Sequence, residues 1–115
     1  SLQYGQDIPL DTLVSVATDA ARQAGAVLAE CTRNGFRIEH KQIINLVTDA
    51  DHQAEQRIID VIHDVFPTHR VLAEERGLTE QLPSRYKWVI DPLDGTTNFA
   101  HGFPAYCVSI GVECD

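Results

Sequence analysis

The chain has 115 residues, room for one domain at most, yet long enough to bury a modest core. Its 17 acidic residues against 9 basic ones leave a formal charge of -8, which speaks against a nucleic-acid or anionic-membrane surface. Hydrophobic content of 43% with 23% charged residues is ordinary for a soluble globular protein, and no apolar run approaches the ~18 residues needed to span a bilayer. The amino terminus has no signal-peptide h-region. Cys31, Cys107 and Cys114 make neither an even framework nor a Cys-x-x-Cys pair, so a reducing, cytoplasmic compartment is expected. Cys31 at a helical core spacing and Cys107 in a strand pattern are expected to act as small hydrophobes.

Residues 1–8 carry no periodicity and read as a loose lead-in. From Pro9, Leu10, Leu13, Val14, Ala17, Ala20, Ala21, Ala24, Val27, Leu28 and Cys31 follow the i, i+3, i+4 rule, and Asn34-Gly35 supplies a helix stop. The many alanines predict close packing against a neighbour. Phe36 to Lys41 alternates and predicts a strand. Gln42 to Val47 has no clear period. Thr48 then looks like a helix N-cap with Asp51 in the capping-box place, and Ala54, Ile58, Ile59, Val61, Ile62, Val65 and Phe66 carry an amphipathic helix to Pro67.

His69 to Ala73 predicts a short strand running into Glu74-Glu75, and Leu78 to Arg85 a polar surface loop. Tyr86 to Asp91 is a strand that Pro92 should end, because proline has no N–H for a ladder. Asp94-Gly95 favours a turn, and Thr96-Thr97-Asn98 can open a helix with outward N–H groups. Beyond Gly102 and Pro104, Ala105 to Glu113 reads as a strand with Tyr106, Val108, Ile110 and Val112 on one face. His52, His63 and His101 suggest no role.

Asp91 and Asp94 are thus tied to a rigid strand end, beside a cluster of backbone donors. Two fixed carboxylates next to such donors suit a divalent cation and a phosphate together. Asp-Pro or Asp-Gly alone would mark no more than a turn. As a whole, Asp-Pro-Leu-Asp-Gly-Thr-Thr-Asn-Phe, residues 91–99, resembles the signature of the inositol monophosphatase family, among the lithium-sensitive, magnesium-dependent sugar-phosphate phosphatases. Leu46-Val47-Thr48-Asp49-Ala50-Asp51 with Glu55, and Val71-Leu72-Ala73-Glu74-Glu75, match that family in order and spacing.

The resemblance implies an α/β (α+β layered) fold, the N-terminal part of an αβαβα domain with two helices packed on a largely antiparallel sheet. Residues 1–115 would form that N-terminal part, with the C-terminal half absent, and the chain is expected to be a fragment or a partner-dependent half. It implies a first magnesium on Glu74, Asp91 and the carbonyl of Leu93, and a second shared by Asp91 and Asp94. Asp51 and Glu74 would lie near a further metal or the attacking water, which Thr96 would help orient. Glu74, Leu93, Asp94, Gly95 and Thr96 would face the substrate, with the N–H groups of Gly95 and Thr96 on phosphate oxygens. Lys41 lies where the family has a mobile loop near the metals, and a solvated strand lysine is the plainer reading. Ligands for the second metal and for the substrate ring would come from the family's later half.

The activity implied is magnesium-dependent hydrolysis of a phosphate monoester, inositol monophosphate first, by metal-activated water, in a homodimer when complete. Histidinol phosphate, a nucleotide 3′-phosphate and fructose bisphosphate stand as alternative substrates. A non-catalytic interaction module is the rival, since some bacterial relatives partner the transcription machinery.

Overall fold

The structure, a computed structural model, describes residues 7–35, 40–73, 77–78, 84–94 and 107–115. In chain order these form helix α1 (Leu10–Gly35), helix α2 (His40–Val65) and strands β1 (Arg70–Ala73), β2 (Gly77–Leu78), β3 (Tyr86–Asp94) and β4 (Cys107–Cys114). The sheet has the order β2-β1-β3-β4. Pairs β1–β2 and β3–β4 are antiparallel and β1–β3 is parallel, so the sheet is mixed, with the antiparallel pairing in the majority.

Helix α1 starts where Pro9 presets the first turn, its carbonyl accepting the N–H groups of Thr12 (3.0 Å) and Leu13 (3.2 Å). The alanines do what their small size allows. Ala20 and Ala24 on α1, and Ala50 and Ala54 on α2, are all fully buried, which brings the helices and the sheet close. Arg57 of α2 reaches Gln23 of α1 at 3.4 Å, and further along Val16 shares a groove with Val61 and Val65, so the helices run antiparallel.

Both helices lie on one face of the sheet, α1 over β4 and α2 over β3. Side chains alternate accordingly. Val71 and Ala73 on β1 and Tyr86, Trp88 and Ile90 on β3 point into the core, joined by half-buried Val108, Ile110 and Val112 of β4. The other face is uncovered among the described residues. Its rows run across the strands: Arg70, Lys87 and Glu113, then Leu72, Val89 and Gly111, then Asp91 and Ser109. Lys87 pairs with Glu113 at 3.4 Å, and Val89 is 37% exposed.

Several local expectations need correction. Thr48 is not an N-cap: α2 runs unbroken from His40 to Val65, which also puts His40 and Lys41 in a helix and not in a strand. Ile43, Val47, Ala50 and Ala54 keep an i, i+4, i+7, i+11 spacing that extends the apolar stripe past Thr48, and that stripe outweighs one capping residue. Residues 36–39, the rest of that strand prediction, lie outside the described residues. Pro92 does not end β3, which runs on to Asp94 through a bulge. Cys107 is exposed on the uncovered face, whereas Cys31 packs against the core as expected, where burial and then Asp49 and Glu30 push its thiol up. Leu78, read as loop, pairs with Leu72.

Candidate metal and phosphate site

The site is built on the end of β3. Asp91 faces Ser109 of β4, and the next registered pair is Asp94 with Cys107. Between those pairs β3 has two residues, Pro92 and Leu93, where β4 has one, Val108. This is a β-bulge, the one place inside a sheet where a missing N–H costs no ladder bond. Proline therefore sits within the strand. Pro92 and Leu93 are both buried, Leu93 as part of the core.

The bulge decides where the aspartates stand. In a regular strand, residues three apart lie on opposite faces. The extra residue restores parity, because Ser109 and Cys107 are two apart on β4 and both exposed on the uncovered face. Asp91 and Asp94 thus occupy register positions on that same face. The half-buried carboxylate of Asp91 accepts the N–H of Leu93 through Oδ1 at 3.3 Å, a local i to i+2 bond that holds both the carboxylate and the bulge.

Asp51 lies on the buried face of α2, 8% exposed, and Glu55 one turn on is 1% exposed. Both have polar partners. Two buried carboxylates on one helix face are uncommon, since ionised groups are seldom taken from water without compensation. Of the remaining expected site residues, Glu74, Gly95 and Thr96 lie outside the described residues, as does His101. Among the described residues no group of three His, Cys, Asp or Glu is arranged to hold a metal ion. The donor set at the bulge, a carboxylate and a neighbouring carbonyl, is nevertheless of the hard oxygen type that magnesium takes.

One group escaped the sequence reading. His69, taken as the first residue of a strand, is buried and accepts the indole N–H of Trp88 on Nδ1 at 3.0 Å. His63, which suggests no role in the sequence, donates to the carbonyl of His69 at 2.9 Å, whereas His52 is exposed. Nothing in the local spacing of His69 announces a partner on another strand.

Among the described residues, no helix is long and apolar enough to cross a membrane. The model of the inositol monophosphatase family matches residues 9–113. An inositol monophosphatase of Mesembryanthemum crystallinum is 42% identical over 114 residues, covering 92% of this chain and 40% of the relative. An inositol-1-monophosphatase of Synechocystis is 45% identical over 104 residues, covering 90% and 36%. The Nus factor SuhB of Vibrio cholerae is 42% identical over 103 residues, covering 88% and 39%. Among solved structures, the inositol monophosphatase of Anabaena superposes with a TM-score of 0.72 at 43% identity, over 91% of this chain and 36% of that one. Inositol monophosphatase II of Staphylococcus aureus gives 0.76 at 31% identity, over 90% and 38%. The chain spans about two fifths of the length of these relatives. By the extent of that match and the likeness of its fold, the chain belongs to the inositol monophosphatase family.

Proposed function

We propose that this chain supplies the first metal-binding and phosphate-binding elements of a magnesium-dependent phosphate monoesterase that acts on inositol monophosphate. The observation that carries the reading is the bulge, which gives Asp91 and Asp94 register positions on one face. Ala73 and Ile90 are parallel partners, and Glu74 and Asp91 follow them in the sequence. A strand pair that keeps this register brings Glu74 beside Asp91. One solved structure of the staphylococcal relative SaIMPase-II holds inositol monophosphate and another of the same protein holds 2′AMP, which supports a small phosphate ester as ligand.

In this reading Glu74, Asp91 and the carbonyl of Leu93 hold one magnesium, and Asp91 with Asp94 a second. The metal, when bound, lowers the pKa of a water and stabilises the leaving oxygen. Asp91 is held for that work by the N–H of Leu93, so little reorganisation is needed as ligands gather. Glu74, Asp51 and Thr96 orient the attacking water, and the N–H groups of Gly95 and Thr96 receive phosphate oxygens. The substrate-selecting residues and the remaining ligand come from the relatives' further length. The complete protein is read as a cytoplasmic homodimer.

Two relatives carry the name Nus factor SuhB, which favours a second reading, an interaction module for transcription. The deciding experiment is phosphate release from a panel of inositol 1-phosphate, histidinol phosphate, a nucleotide 3′-phosphate and fructose bisphosphate by the full-length protein. Magnesium-dependent release, fastest on inositol 1-phosphate and reduced by at least ~100-fold in Asp91→Asn, is expected, because outer-shell changes alone cost 10–100-fold. Undiminished turnover in Asp91→Asn would remove the metal role. No turnover on any ester, with a stoichiometric protein partner retained in chelator, would favour the interaction module.

A further inference from the structure

His69 is the hub of a buried node at the start of the sheet. Its ring stacks on Phe66 on one side (centroids 4.4 Å, planes 12° apart) and on Tyr86 on the other (4.9 Å, 16°). Trp88 gives its indole N–H to Nδ1, and the Tyr86 hydroxyl accepts the backbone N–H of Ile8 at 2.9 Å. Arg85 lies over the Tyr86 ring at 5.7 Å and binds Asp7 at 2.6 Å. The segment leading into α1 is therefore strapped to β3 through Tyr86 and Arg85, and Tyr86 is seated on His69.

The protonation state of His69 follows from its partner. An indole N–H is a donor only, so Nδ1 must carry a lone pair, and the neutral ring holds its hydrogen on Nε2. A second proton would land on Nδ1, opposite the indole N–H, and two donors would meet. The described groups facing the ring offer a cation no carboxylate. Helix α2 presents His63, and β3 presents Tyr86, with Arg85 beyond it already paired to Asp7, while Arg70 of β1 stands on the other face of the sheet, paired to Asp115 at 3.3 Å. The faces of Phe66 and Tyr86 would attract an imidazolium, but they do not replace the lost hydrogen bond or the water removed by burial. Burial first, and His63 second, push His69 down from 6.5 to about 4.

We propose that His69, Trp88 and Tyr86 form an acid-sensitive latch that pins residues Asp7–Pro9 to the sheet while His69 is neutral and releases them when it takes up a proton. No covalent step is involved: one proton enters the ring from solvent, and the indole–imidazole hydrogen bond is lost. The latch is independent of the phosphatase reading and needs no metal.

Nitrogen-15 spectra of the histidine side chains of this chain, followed from neutral to about pH 3, test it directly. The expected result is an Nε2–H tautomer of His69 at neutral pH and a titration centred near 4, far below an ordinary 6.5. Hydrogen exchange at the Trp88 indole and at the Ile8 amide should accelerate with the same midpoint, while helical circular dichroism is unchanged. In His69→Asn, which keeps an acceptor near the place of Nδ1 and cannot protonate, that acceleration should vanish. An Nδ1–H tautomer at neutral pH, a midpoint near 6.5, or release of Ile8 only together with loss of the helices would overturn the latch. So would unchanged acceleration in H69N. Should that variant fail to fold, the spectra of the unaltered chain decide alone.

Discussion

His69 and Trp88 show how one hydrogen bond between distant residues fixes both a tautomer and a fold junction. Removing the donor leaves Nδ1 buried and unsatisfied, so Trp88→Phe should destabilise the chain by about 1–3 kcal/mol, read from the urea midpoint at neutral pH. The pH dependence has a definite sign. The folded state holds His69 at about 4, below its ordinary 6.5, so the unfolded chain binds the proton first as pH falls. Stability from this group is complete above about 6.5 and is lost as pH drops through 4, on the order of 3 kcal/mol in all. A flat stability profile across that window would show that His69 is not held neutral. None of this was readable from neighbours in the chain, because Trp88 lies 19 residues from His69 and the bond exists only once β1 and β3 pair.

At the scale of the element, the alanine spacing of α1 predicts a tightly packed helix, and fully buried Ala20 and Ala24, with Ala50 and Ala54 equally buried on α2, bear that out. Enlarging one of them tests the fit: Ala54→Leu should cost about 1–3 kcal/mol by chemical denaturation, since the added methylenes have nowhere to go without moving the backbone. An unchanged midpoint would mean slack between α2 and the sheet. The misread elements share a cause. Local preference marks Thr48 as a cap and Pro92 as a strand stop, but each stands where tertiary structure decides. The stripe through Val47, Ala50 and Ala54 carries the helix through Thr48, and a partner strand one residue shorter makes room for Pro92. Caps and stops are local in sequence; stripes and bulges depend on what lies opposite.

For the whole molecule, the described residues form two layers, with helices on one side of the sheet and nothing on the other. That face carries Leu72 and Val89 in its middle row, and β4 lies at the sheet edge for its whole length. An open apolar row beside an unpaired edge invites self-association. The 115-residue polypeptide by itself is expected to associate with rising concentration in sedimentation velocity. Val89→Lys should weaken this about tenfold, or ~1.4 kcal/mol. No change would place the contact elsewhere. The family was legible from residues 91–99 because chemistry constrains that run residue by residue, whereas the complement of the open face is not encoded in any motif. Glu74, Gly95 and Thr96, which the resemblance also implicates, lie outside the described residues and stand as proposals to be tested with Asp91.

The bulge at Pro92 and Leu93 has a consequence for how this sequence can vary over evolution. Because the two aspartates share a face by virtue of one surplus residue, the number of residues between them is constrained separately from their identity. Substitutions at positions 92 and 93 that keep the bulge leave Asp91 and Asp94 at register positions on one face. A one-residue insertion would move Asp94 away from its place opposite Cys107, and a one-residue deletion would remove the bulge and with it the bond from the Leu93 N–H that holds the Asp91 carboxylate. Insertions and deletions should therefore be purged from this interval even where exchanges of side chain are tolerated.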